Sequence, residues 1–205
     1  MEVLHNLYLF LASVVFISLS GVVMPGPVFA ATVARGYADR NAGALVALGH
    51  GAVEFPLMVL IYLGLAQFFA SSLVKAAVGL VGGGMLVFMG VKMLRFKGEL
   101  PLGGLQVRYG SLTVGAATTG ANPYFFLWWA TVGAALIMSS AAFGLIGFLL
   151  FAIIHWLCDF SWYLFLSVIV FKSKRLWSRR TCRMIFGFCA LLLIGFGVWF
   201  IFSAL

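Results

Sequence analysis

The stretch Ser20-Gly21-Val22-Val23-Met24-Pro25-Gly26-Pro27 interrupts a hydrophobic run that begins near Leu7 and continues to Ala34. Two prolines around a glycine remove backbone donors and clash with the preceding turn, so no continuous helix passes through them. In hydrocarbon the freed amides and carbonyls need partners, and irregular backbone survives there only against protein or a water-filled cavity. A half-helix that starts at mid-membrane also points the positive end of its dipole at any anion in that cavity. The simpler reading is a proline kink that bends one span. Which of the two holds depends on what the other spans carry.

The chain has 205 residues, 64% hydrophobic and 9% charged, with a mean hydropathy of +1.14. Its apolar runs are long enough to cross a hydrocarbon core of roughly 30 Å several times. Composition therefore predicts an integral membrane protein with no soluble domain left over. No Lys or Arg precedes the first span, so that span is expected to be retained rather than cleaved as a secretory signal. Cys158, Cys182 and Cys189 form no CxxC pair and read as reduced, small apolar residues. A net charge of +8 would suggest a nucleic-acid partner in a soluble protein; here the position of the charges decides.

Six spans are expected: Leu7 to Ala34, Ala42 to Phe69, Ala76 to Val91, Ser111 to Met138, Ala141 to Phe171 and Met184 to Leu205. Arg35 and Arg40 follow the first span, Lys92, Arg95, Lys97 and Arg108 surround the third connection, and Lys172, Lys174, Arg175, Arg179, Arg180 and Arg183 follow the fifth. Lys75 alone stands in the intervening connections. Cytoplasmic loops retain Lys and Arg, which predicts both termini outside the cell membrane.

Three spans on each side of the Pro101-Leu102-Gly103-Gly104 connection enter the membrane in opposite directions, the condition for an inverted repeat. Repeat one covers about 1–97, the connection about 98–110 and repeat two about 111–205. Asn122-Pro123 in span four matches the Pro25 and Pro27 break in span one. His50 and Glu54 in span two match His155 and Asp159 in span five, and glycines eight apart recur in spans three and six, Gly82 with Gly90 and Gly187 with Gly195. The expected fold is an all-α polytopic membrane protein of six transmembrane helices in two inverted three-helix repeats, with broken helices at Pro25/Pro27 and at Pro123.

Of the five acids, Glu2, Asp39 and Glu99 lie at the terminus or in connections, whereas Glu54 and Asp159 lie inside spans. Each is twelve residues from the basic end of its span, about 18 Å at 1.5 Å per residue and so near mid-bilayer. A charge there costs on the order of 2.5–3.5 kcal/mol against lipid, so both acids should face the bundle interior. A separation of four puts each histidine one turn from its acid on the same face, where a proton can pass between them. A structural role, hydrogen bonds that hold two helices in register, uses the same residues. So does a divalent-cation site, although no cysteine or further acid joins the set. Gln67, Ser20, Thr118 and Thr119 are lesser polar candidates, since Ser and Thr in membrane helices usually bond their own backbone.

Pro25-Gly26-Pro27, then Arg35-Gly36, Ala42-Gly43, Leu48-Gly49, an acid at Glu54 and Gly64 resemble the LysE/RhtB amino-acid exporter family. Asn122-Pro123 before an aromatic run and a closing glycine-containing helix after a basic loop are similar too. Val28 stands where members usually carry asparagine, and Tyr124 where they carry lysine. The resemblance implies six spans in two inverted halves that export an amino acid or similar zwitterionic or cationic metabolite against protons. The alternative is export of a divalent metal cation. On this reading Pro25, Gly26, Pro27, Val28, Asn122, Pro123, Glu54 and Asp159 contact substrate, and Glu54, His50, Asp159 and His155 carry the proton. Enzymatic chemistry, a cofactor, a resident metal and a nucleic-acid partner are not expected. The expected partners are the small-molecule substrate, protons and the lipid bilayer, and a homo-oligomer is compatible with the sequence. A membrane disulfide carrier would need a cysteine in each proline-bearing span, and spans one and four have none.

Overall fold

The computed structural model describes residues 6–65, 71–95, 110–176 and 178–204, and among them every regular element is helical. Gln67, Glu2, Glu99, Lys97, Arg108 and nearly all of the expected 98–110 connection lie outside the described residues.

Helix α1, Leu7–Val22, starts where the Asn6 Oδ1 accepts the Tyr8 and Leu9 amides at 3.0 and 3.4 Å, a side-chain cap of the usual kind. It stops before Pro25, and α2, Pro27–Gly36, restarts on a proline in its first turn. The two axes differ by 78°, far more than a proline kink. Helix α3, Ala42–Leu60, contains Pro56 and runs on into a π turn, Ile61–Leu65. Helix α4, Ser72–Leu94, is apolar over Gly79–Leu94. Helix α5, Ser111–Gly120, ends before Asn122, which caps α6, Pro123–Trp128, by accepting the Tyr124 amide on Oδ1 at 3.2 Å. A π turn, Trp129–Gly133, carries α6 into α7, Ala134–Ala141. Helix α8 is Gly144–Ser173 and α9 is Arg179–Ser203.

Four of these stretches are long and apolar enough to cross a membrane: Ala42–Gly64, Pro123–Ala141, Gly144–Ser173 and Arg179–Ser203; the bent pair α1 and α2 makes a fifth. The protein is thus an all-helical, multi-pass membrane protein.

Several span ends differ from expectation for local reasons. The fifth span begins at Gly144 rather than Ala141, because a backbone φ of +68° at Gly144 breaks the chain in a conformation that glycine adopts at little cost. The last span begins at Arg179 rather than Met184. Ser178 Oγ accepts the Thr181 amide at 3.1 Å, and Arg179, Arg180 and Arg183 continue the helix because long basic side chains lose little rotamer freedom there. Where a third span over Ala76 to Val91 is expected, α4 runs from Ser72 to Leu94, but its apolar part, Gly79–Leu94, is shorter than the stretches that can cross a membrane, so five of the six expected spans are seen among the described residues.

Helix α4 lies along α9, α3 packs on both α5 and α8, and α8 also packs on α1 and α2. At the α4–α9 crossing the backbones touch: a Cβ on Gly83 would stand 2.6 Å from the Gly197 carbonyl oxygen, and one on Gly197 would stand 2.6 Å from that of Gly83. Small residues allow such approach where lipid supplies no hydrophobic drive for helix association. A separate apolar cluster joins Val33 of α2, Val170 of α8 and Phe186 of α9, with Met93 of α4 packed against it. Those contacts gather the ends that carry Arg35, Lys92, Lys172 and Arg179 on one side of the bundle.

Candidate functional site

Both histidine and acid pairs lie on the faces where α3 crosses α8. His50 Nε2 is 3.0 Å from Glu54 Oε1 one turn along its own helix and 3.5 Å from Asp159 Oδ1 across the crossing. His155 Nε2 is 3.5 Å from Asp159 Oδ2 on its own helix and 3.3 Å from Glu54 Oε1 across it. Glu54 Oε1 therefore serves both imidazoles, one from each half of the chain. All four side chains are buried, Glu54 at 1% exposure and Asp159 at 2%. Glu54 Oε2 and Asp159 Oδ2 are buried without a hydrogen bond.

The other ring nitrogens are held by hydroxyls that cross between the halves. His50 Nδ1 is 2.8 Å from Thr119 Oγ1 of α5, and His155 Nδ1 is 2.7 Å from Ser18 Oγ of α1. Thr119 gives its one proton to the Gly115 carbonyl at 2.8 Å, so its oxygen accepts the Nδ1–H of His50. That bond fixes the tautomer: Nδ1 carries the proton, and Nε2 faces the acids with its exchangeable position. Aromatic rings complete the wall. His155 stacks on Trp128 at 5.1 Å, and His50 meets Phe125 and Tyr163 edge-on at 5.4 and 5.7 Å.

The two helix breaks close one side of the same cavity. Gly26, Val28 and Phe29 line it from the first break, and Asn122, Tyr124 and Phe125 from the second. Pro25, Pro27 and Pro123 flank these residues within the breaks. A Cβ on Gly26 would lie 3.7 Å from Asn122 Nδ2, so the breaks face each other. No side chain caps the start of α2, and the first amides of a helix have no carbonyl one turn behind them. The free space is about 50 Å³, several times the roughly 10–15 Å³ that one water requires and enough for an ion with a few waters.

Seven of the ten sequence-expected site residues, Gly26, Val28, His50, Glu54, Asn122, His155 and Asp159, thus line one cavity, whereas Pro25, Pro27 and Pro123 adjoin them in the chain without lining it. Ser20 and Thr118 do not take part: Ser20 donates to the Ile17 carbonyl at 2.6 Å and Thr118 to that of Val114 at 2.7 Å. Ser18, Trp128 and Trp129 are cavity residues that the sequence alone did not single out. The aromatic run after Pro123 was a signal for the two tryptophans; Ser18 had none beyond a hydroxyl on the helix before a break.

A family model for the LysE type translocator matches residues 19–204, nearly the whole chain. The chain belongs to the LysE type translocator family. No curated protein and no solved structure matches it. Membership implies an exporter of amino acids or related compounds, and the buried cluster between the breaks is the translocator's candidate transport site.

The hydroxyl at Thr119 supplies a direct test of the site's architecture. Thr119→Val keeps the shape but strands the His50 Nδ1–H in a buried setting, a loss of about 1–3 kcal/mol. The purified translocator should then unfold several degrees earlier than wild type, whereas Thr119→Ser should match it. Equal midpoints for the valine and serine variants would remove Thr119 as the His50 anchor.

Proposed function

We propose that this translocator is a secondary active exporter of the cell membrane that moves an amino acid, or a similar small zwitterionic or cationic metabolite, out of the cell in exchange for protons. The observation that carries the reading is the meeting of Glu54 and Asp159, one from each half of the chain, with both imidazoles beside two facing helix breaks. Buried ionisable groups at membrane depth are expensive and mark transport pathways. In this reading Glu54 and Asp159 hold the substrate ammonium or the exchanged proton, and His50 and His155 relay it. Backbone amides at Gly26–Phe29 and at Asn122–Phe125 receive the carboxylate.

The architecture behind this reading is six spans in two inverted halves, about 1–97 and 111–205. Several paired relations support it. The packing of α3 on α5 has its counterpart in that of α8 on α1; Thr119 bonds His50 as Ser18 bonds His155; Gly83 and Gly197 touch reciprocally. The basic side of the bundle faces the cytoplasm by the positive-inside rule, which puts both termini outside. Rocking of one half against the other then exposes the site alternately. The cavity is too tight for an amino acid as it stands, so loading requires that motion.

Counterflow in proteoliposomes, screened across amino acids and divalent ions with and without a proton gradient, tests the proposal. An amino-acid signal that the gradient drives is the expected result. A signal for metals alone would overturn amino-acid export.

A further inference from the structure

We infer that His50, Glu54 and Asp159, with His155 beside them, form a binding site for one divalent transition-metal cation of the zinc type. The inference goes beyond amino-acid export and does not depend on it.

Geometry is its first support. Four ligand atoms each about 2.0–2.2 Å from a central ion lie about 3.3–3.6 Å apart along the edges of a tetrahedron. His50 Nε2 lies 3.0 Å from Glu54 Oε1 and 3.5 Å from Asp159 Oδ1, and His155 Nε2 lies 3.3 Å from Glu54 Oε1 and 3.5 Å from the other Asp159 oxygen, Oδ2. The ligand atoms of His50, Glu54 and Asp159 all fall within 4.8 Å of one another. These three set the site, with His155 Nε2 standing 3.3 Å from Glu54 Oε1 at its edge, and a water can complete the ion's coordination.

The donor set is the second. Two imidazoles and two carboxylates suit zinc and its neighbours among the first-row ions, and do not suit magnesium, which demands an octahedron of oxygens. Two buried carboxylates would neutralise a doubly charged cation.

The surroundings are the third. Metal-binding histidines nearly always use the second ring nitrogen for an orienting hydrogen bond, and both do so here, to Thr119 and Ser18. The Thr119 bond selects the Nδ1–H tautomer of His50, which leaves the Nε2 lone pair for the ion. Glu54 Oε2 and Asp159 Oδ2, buried without hydrogen bonds, are oxygens that a cation would satisfy. Asp159 presents one oxygen to each imidazole, the posture of a carboxylate that can bind through either or both. The space of about 50 Å³ fits an ion with a few waters.

The test is zinc binding to the purified, untagged translocator in lipid nanodiscs, measured by equilibrium dialysis with metal analysis. One ion per chain is expected, with Mg²⁺ in excess not displacing it. His50→Gln and Asp159→Asn should each weaken binding by about a hundredfold or more, and Thr119→Val by about tenfold, the range in which orienting partners act. His5→Ala, which removes the one remaining histidine, should change nothing. Loading wild-type protein with Co²⁺ is independent of any variant's ability to fold. An intense visible absorption of the tetrahedral type is expected, and the weak absorption of a six-coordinate ion would overturn the site. Absence of saturable zinc binding, or binding that survives loss of His50 in a folded variant, would also overturn it. Failure of amino-acid counterflow leaves these readouts unaffected, so the two proposals fail separately.

Discussion

Proton-driven export by the Glu54→Gln translocator should fall by about two orders of magnitude while the protein stays folded. Gln keeps the length and planarity of Glu and removes only its charge and its capacity to accept on both sides. Glu54 Oε1 faces the Nε2 atoms of His50 and His155 at 3.0 and 3.3 Å, and a hydrogen bond to a charged group contributes about 1.5–3 kcal/mol. Losing that interaction at the step where a proton or ammonium is held corresponds to about a hundredfold, since each pKa unit or tenfold is ~1.4 kcal/mol. Asp159→Asn should cost less, because both of its separations from the imidazoles are 3.5 Å. Initial rates of counterflow and of gradient-driven efflux in proteoliposomes separate the outcomes. If Glu54→Gln ran at the wild-type rate under a proton gradient, Glu54 would have no part in coupling.

The largest effect on assembly should come from Gly115→Val, at the crossing of α3 and α5. A Cβ on Gly115 would collide with the Val46 carbonyl oxygen and stand 2.8 Å from the Val46 Cα. From the other side, a Cβ on Gly49 would collide with the Leu112 carbonyl oxygen and stand 2.8 Å from the Ala116 amide nitrogen. All of these neighbours are backbone, so nothing nearby can swing aside. Overpacking commonly costs about 1–3 kcal/mol and occasionally more; with two backbones pressed together the upper end applies. At about 2–4 °C per kcal/mol for a chain of this size, the thermal midpoint in detergent should drop by roughly 10 °C. Function should fall with it, because Gly115 lies one turn before Thr119 and accepts its hydroxyl proton. Gly49 sits beside His50, so a wider crossing pulls the hydroxyl from the imidazole. Wild-type midpoint and transport for Gly115→Val would mean that the two backbones do not meet as described.

Position 28 also bears on substrate. Val28 is buried and lines the cavity beside Gly26, so the first break places an apolar side chain there. Asn122 on the facing break keeps an amide in that space, so the polar function at the breaks comes from the second half.

The breaks and the two intrahelical pairs were legible because their causes are local. Proline lacks a backbone donor and fits the first turn of a helix, so the Pro25-Gly26-Pro27 cluster and Asn122-Pro123 mark where one helix stops and the next starts, whereas the lone Pro56 stays inside α3. Four residues of helix bring His50 to Glu54 and His155 to Asp159 whatever else the chain does. Helix ends were read less well, since Ser178 and Gly144 act through a cap and a backbone conformation that hydropathy does not register. Only the tertiary structure decided that the two pairs make one site. Glu54 and His155 are 101 residues apart, and their meeting depends on how closely α3 and α8 cross. That approach is set by Gly43, where a Cβ would collide with the Tyr163 carbonyl and stand 2.5 Å from Ser167 Oγ. The partner of each outer ring nitrogen was likewise a matter of packing, because Ser18 and Thr119 come from the broken helices of opposite halves. Local chemistry named the groups, and long-range backbone contact between small residues brought them within reach of a single ion.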